Sequence, residues 1–559
     1  MSRLYRYLRK TCRKATPLVI ALLICRPSAC AQQVTAQYTL TGTVINTVTG
    51  EPLRKTLVEV VGDTHHAVLT DQYGQFQVDG LKEMQATVMA EKPGFFDDQD
   101  LAPGPADQAQ VHIGPFTKPL LVKMTPESIV VGRVTAANGE PLESVPVKLA
   151  CVRFTNYGKR WEQCANTYTS EEGEFRFGSL MPGSYYVEAG PSSSYAVSSS
   201  VVSVDLVPGQ QAEEDFTLQP DPQLELSDDV REYAAAQLAT SDSHPSAAGE
   251  KVSRISGAVL NLQTGQPLPG AEVIIALPQD RTPIGAAITG DNGRFSFARF
   301  SPGTYILLAK REGFRPQGRQ TRQPFWTRVT VAGGQDCDNL IFQLQADSSL
   351  SGLITDEGNE AVRDAQVMLF RRVVRNGKQA SHLEAESVTD SAGHYRFSHL
   401  EPGEYVAAVV AQPWYAQNRS AASSKPSDAP ADLDVAYPII FQSGATDPSD
   451  AVPISLQPGE RVEADVTLRP VPAVHLRVRN ASLDPARPGA ATLMASLYGG
   501  FVAPVPTERT AINGELIEIN GVPPGRYAIN LQSFGGEDSA NRSREFYLSG
   551  DMEIDGNQI

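Results

Sequence analysis

The sequence predicts an all-β fold: a tandem array of about five β-sandwich domains with one short linker helix. Three observations predict it. A phrase of aromatic residues followed by Pro-Gly recurs along the chain, its aromatics stand two residues apart, and turn residues punctuate the sequence every 8–12 residues or so. At roughly 150 residues per domain, a chain of 559 residues holds several cores rather than one. A hydrophobic fraction of 41% with 20% charged residues excludes wholesale disorder and a polytopic membrane protein.

Residues 1–31 stand outside the repeats. Arg3, Arg6, Arg9, Lys10, Arg13 and Lys14 precede an apolar run from Ala15 to Cys25, and Ala29-Cys30-Ala31 offers small residues for cleavage, the order of a secretory signal peptide. The run is too short to span a bilayer, and no later stretch approaches about 18 apolar residues, so no transmembrane segment is expected after cleavage. The protein is expected to be exported, to the periplasm or cell envelope or into the medium. Without this leader the chain keeps 41 basic and 64 acidic residues, a net charge of −23. That charge argues against nucleic acid as a partner, because binding a polyanion needs a basic surface.

The repeats follow in order. Gly173-Glu-Phe-Arg-Phe-Gly-Ser-Leu-Met-Pro-Gly183-Ser-Tyr-Tyr returns as Gly293-Arg-Phe-Ser-Phe-Ala-Arg-Phe-Ser-Pro-Gly303-Thr-Tyr and as Gly393-His-Tyr-Arg-Phe-Ser-His-Leu-Glu-Pro-Gly403-Glu-Tyr. A stretched copy runs from Gly514 to Gly525, and a degenerate one begins at Gly74. Upstream stands Gly42-Thr-Val…Gly50-Glu-Pro52-Leu, repeated from Gly132 and Gly257 and more loosely from Gly352. Phe175 with Phe177, Phe295 with Phe297, and Tyr395 with Phe397 place two rings on one face of a strand, so these pairs are expected to be core. Asp or Asn ahead of Gly74, Gly293 and Gly393 suits a hairpin loop. The units read as sandwich 1 at 32–126, sandwich 2 at 127–221, sandwich 3 at 252–347 and sandwich 4 at 348–470 with a loop insert at 416–434. Residues 471–559 form a fifth, which lacks the closing Pro-Gly…Leu phrase and reads as incomplete. Residues 222–251 form a linker in which Val230, Tyr233, Ala234 and Leu238 keep helical spacing.

The pattern Gly-x-Val, Gly-Glu-Pro-Leu, Asp-x-x-Gly-x-Phe-x-Phe, Leu-x-Pro-Gly-x-Tyr resembles the carboxypeptidase regulatory-like domain, from residue 38 to about 532. The resemblance implies Ig-like/transthyretin-like β-sandwiches, related to starch-binding-like folds and to the B-type repeats of surface adhesins. It also implies a generic carbohydrate-binding assignment. The Lys–Asn cross-links of such adhesins are not expected, since no lysine recurs at a fixed place.

Catalytic patterns are missing from the sequence. It contains no His-x-x-Glu, His-Glu-x-x-His or Gly-x-Ser-x-Gly, no phosphate-binding loop and no dinucleotide fingerprint, so neither an enzyme nor a cofactor is expected. His65 and His66 would point to opposite faces of a strand, His394 and His399 lack further ligands, and Asp97-Asp98-Gln99-Asp100 lacks the glycine and terminal Glu of a calcium loop. No metal site is expected. Cys151 and Cys164 are equidistant from Tyr157-Gly158, which would set them opposite each other in a two-residue hairpin and allow a disulfide.

Sugar binding needs flat aromatic faces beside hydrogen-bonding groups. The candidates are Trp161 beside Lys159-Arg160, Trp326 after Gln323-Pro-Phe325, and foremost Trp414-Tyr415, which lies in a loop just past the Tyr405 strand. The expected function is that of a non-enzymatic binding array for polysaccharide or another cell-surface ligand. The alternatives are a structural or adhesive spacer, or an accessory module of a secreted peptidase or outer-membrane receptor system.

Overall fold

A computed structural model describes residues 37–97, 110–137, 139–155, 158–190, 195–196, 201–220, 253–279, 283–311, 313–316, 326–375, 377–416, 432–479, 489–498, 500–512, 516–533 and 541–556. The expected signal peptide, the linker helix and most of the 416–434 insert lie outside these residues. Within them the chain is all-β, with a single 3-10 turn at Pro448–Asp450. No helix among them is long and apolar enough to cross a membrane.

Each unit is two small sheets face to face. In unit two one sheet runs Glu174–Leu180, Ser128–Ala136, Phe216–Pro220, and the other runs Gly158–Tyr168, Pro146–Thr155, Gly183–Ala189, Val201–Leu206. The first strand pairs antiparallel with the aromatic strand and parallel with the last, and the same arrangement closes the other four units. Unit five, short of its expected closing phrase, still closes in this way, with Met552–Asp555 parallel to Val474–Arg479. A parallel closing strand needs only alternating apolar residues, which Met552 and Ile554 supply against the core.

The recurring residues have recurring tasks. Phe175, Phe177, Phe295, Phe297, Tyr395 and Phe397 are buried in their own cores, each worth about 1.5–3 kcal/mol when fully buried. Gly74, Gly173, Gly293 and Gly393 turn the hairpins at φ between 67° and 80°, where a Cβ is strained. Four residues ahead, Thr70, Thr169, Thr289 and Thr389 each donate to a carbonyl and accept a backbone N–H at 2.5–2.9 Å, which satisfies groups buried between the sheets. After Pro-Gly, the hydroxyls of Tyr185, Tyr305, Tyr405 and Tyr527 donate at 2.7–2.9 Å to the carbonyl four residues earlier and lock the turn.

Unit four is the hub. Its Met368, Phe370, Val406 and Ala408 form an apolar seam with Leu497, Tyr498 and Phe501 of unit five. Leu57 and Ala67 of unit one pack against its Tyr415 and Leu433.

Candidate functional site

The long hairpin sheet of unit two exposes an aromatic pair. Along Gly183–Ala189 the side chains alternate, so Tyr185 points into the core while Tyr186 points outward. Burial pushes the Tyr185 hydroxyl up to about 12. On Gly158–Tyr168, Trp161 points to the same outer face, 42% exposed, with its ring 4.2 Å from that of Tyr186 at an interplanar angle of 54°. Strand Pro146–Thr155 runs between them, and Ala150, opposite both Gln163 and Tyr186, is small enough for the rings to meet across it. Polar groups frame the pair: Ser184 donates to Asp205 at 2.5 Å, Ser203 lies opposite Tyr186, and Lys148 lies opposite Glu188. The result is an open ring surface beside hydroxyl and carboxylate groups, the chemistry that holds a hydroxylated ring.

The other candidates are placed differently. Trp326 is half-buried, immediately before strand Thr327–Val331. Trp414 and Tyr415 lie at the seam between units one and four, not on an open loop. Tyr415 is 3% exposed, seated on Leu57 and Ala67, with Lys55 Nζ 4.6 Å from its ring centroid and its hydroxyl donating to Glu357 at 3.0 Å. Trp414 meets Tyr415 edge to face at 5.6 Å. The apolar surface that suits a sugar here serves packing between units. Tyr186, absent from the sequence candidates, was hidden in a tandem Tyr-Tyr. Counting by two from the buried Tyr185 is the signal that places its neighbour on the open face.

The cysteines correct an expected register. The hairpin pairs Thr155 with Gly158, so Cys151 lies opposite Glu162, and a bulge between Leu149 and Ala150 leaves Cys164 as the extra residue. Cys151, Cys164 and Cys337 are free thiols, and Cys164 donates to the Leu149 carbonyl at 3.4 Å. Burial, with the neighbouring Cys151 thiol, pushes Cys164 up to about 12.

No group of three or more His, Cys, Asp or Glu able to hold a metal occurs among the described residues. His65 pairs with Glu59 and His66 with Thr64, while His394 is exposed beside Asp390. A recess of about 500 Å³ lies on unit one, lined by Thr41, Thr43, Gln75 and Gln77 with Asp432 of unit four at its rim.

The two-sheet units, with their parallel closing strands and shared turn chemistry, define a tandem β-sandwich repeat protein. Two of these units, at residues 129–219 and 254–345, match the carboxypeptidase regulatory-like domain in tandem copies. No curated protein matches the chain. Among solved structures it is similar to the Bacillus anthracis TIE protein, at 13% identity over 78% of this chain and 75% of that one, with a TM-score of 0.18. It is also similar to a streptococcal ancillary pilin, at 15% identity over 55% and 99%, TM-score 0.19. A further similarity is to the shaft pilin SpaA of Lactobacillus rhamnosus GG, at 11% identity over 40% and 98%, TM-score 0.20.

Proposed function

We propose that this chain is an exported, non-enzymatic binding array that holds polysaccharide through the outer sheet face of unit two. The observation that carries this reading is the Trp161–Tyr186 pair, which leaves ring surface open between polar side chains. Export rests on the basic and apolar order of residues 3–31, and the ligand class on the stacking chemistry of sugars. Affinity electrophoresis of residues 32–559 through gels carrying soluble polysaccharides tests it. Retardation is expected in at least one gel, lost in Trp161→Ala and Tyr186→Ala and kept in Trp326→Ala and Trp414→Ala. Equal mobility in every gel would sink the reading.

A structural or adhesive role is the second reading. The contacts of unit four with units one and five favour it, because a chain braced through a hub resists bending better than independent beads on flexible joints.

A further inference from the structure

Units two and four touch although unit three separates them in the chain, and they touch through the same residues of the repeat. Arg176 of unit two donates to Ser391 of unit four at 3.1 Å. Arg396, the same repeat position in unit four, donates to Glu171, the unit-two counterpart of Ser391. Around this pair a second one repeats the exchange. Arg363 of unit four donates to Ser179 of unit two at 3.1 Å, while their counterparts Glu143 and His399 meet at 2.8 Å with the partners interchanged. Ser179 and His399 share a further trait, left-handed φ values of 55° and 56°. Position i contacts j on one side and j contacts i on the other, the signature of an isologous interface, here between two domains of one chain.

We propose that this face is a self-recognition surface of the repeat, whose partner is another copy of the repeat, and that charge selects unit four as the partner of unit two. The unit-two side offers Glu127, Glu143, Glu171 and Glu172. The unit-four side answers with Arg363, His399, Arg396 and Arg461, at 2.5–2.8 Å for Arg363–Glu127, His399–Glu143, Arg396–Glu172 and Arg461–Glu172. Two unit-four faces brought together would set Arg363 against His399, cation against cation, whereas the mixed pair is complementary at each exchanged position. Towards unit one, the charge of unit four is reversed: its Asp356, Glu357 and Glu360 take Lys55 and Lys92. Unit three carries Ser296 where unit four has Arg396 and Pro269 where it has Arg363, and keeps a cation only as Arg299 at the His399 position among these three. The surfaces are also close-fitting, since a Cβ placed on Gly178 would stand 2.5 Å from that of Ser391.

The proposal is independent of any sugar. Its test places cysteines at Gly178 and Ser391 in the chain of residues 32–559, where an opening of about 1 Å brings the two Cβ atoms to the roughly 3.5–4.5 Å of a disulfide, and measures the 178–391 disulfide by peptide mass after mild oxidation. The cross-link is expected to dominate in this background. It should fall about tenfold with Glu171→Arg and Glu172→Arg, fall similarly with Arg396→Glu and Arg461→Glu, and return when all four reversals are combined. Recovery in the combined variant also shows that neither set of reversals unfolds its unit. Absence of the cross-link overturns the proposal, as does a yield indifferent to one-sided reversal, or a combined variant that fails to recover it.

Discussion

Units two and four use the outer face of the same sheet in opposite ways. In unit two that face lies open and carries Trp161 and Tyr186 around Ala150. In unit four the corresponding strands carry Phe370 at the Ala150 position and Val406 at the Tyr186 position, and unit five lies over them, with Tyr498 and Phe501 at 5.2 and 5.5 Å from the Phe370 ring. One repeat thus yields an open face or a docking face according to which side chains point outward. The inner face, which makes the fold, stays apolar in both units.

Five substitutions and the chemistry of the cysteines press on that comparison. Phe370→Ala, at a site with no exposed surface, should destabilise units four and five by about 3–5 kcal/mol, as a large-to-small change in a closed seam does. Urea denaturation followed by intrinsic fluorescence measures it, and a loss below about 1 kcal/mol would show that the face is not truly covered. Thr389→Val and Thr169→Val should each cost about 1–3 kcal/mol, and by similar amounts, because each leaves a buried carbonyl and N–H unpaired inside the shared fold. Unequal costs would show that this threonine does different work in the two interiors. Trp161→Ala should cost about 1 kcal/mol or less in stability, since it removes one half-exposed ring pair, while abolishing retardation by polysaccharide.

The pH dependence is smaller. Hydrogen bonds that His399 donates to Asp347 and Glu143 hold it protonated up to about 10, against an ordinary value of 6.5. A folded pKa above the unfolded one adds stability that is complete below pH 6.5 and is lost as pH rises towards 10. Urea midpoints of the wild-type chain should therefore fall over that window, and His399→Gln should flatten the fall. A parallel decline in both would assign the titration elsewhere. The smallest expected effect concerns the cysteines: non-reducing mass should show Cys151 and Cys164 unlinked, and alkylation of Cys164 at pH 8 should be slow because its thiol stays protonated.

Much of the interior was legible in the sequence. The aromatic pairs two apart, the glycines after Asp or Asn and the Pro-Gly turns each describe local geometry, and each is found where its local rule puts it. The candidate site was legible only in part. Trp161 was among the candidates, but its partner Tyr186 comes from another strand and meets it only through sheet register. Trp414 and Tyr415 showed the opposite case. Their sequence surroundings suggested an exposed loop, and unit one, more than three hundred residues earlier, covers Tyr415. The Cys151–Cys164 register failed for a more local reason: the hairpin pairs Thr155 with Gly158, one residue earlier than the symmetric turn would, and Cys164 falls at the bulge between Leu149 and Ala150.

By itself, then, the sequence determined the repeat: its strands, its turns and the inward residues of each core, because these depend on side-chain alternation and on backbone conformations a few residues long. Only the tertiary structure decided which outer faces are open, which are covered by another unit, and which charges meet. Those outcomes depend on residues far apart in the chain, whose alternation and turn chemistry are the same whether a neighbour or water lies over them.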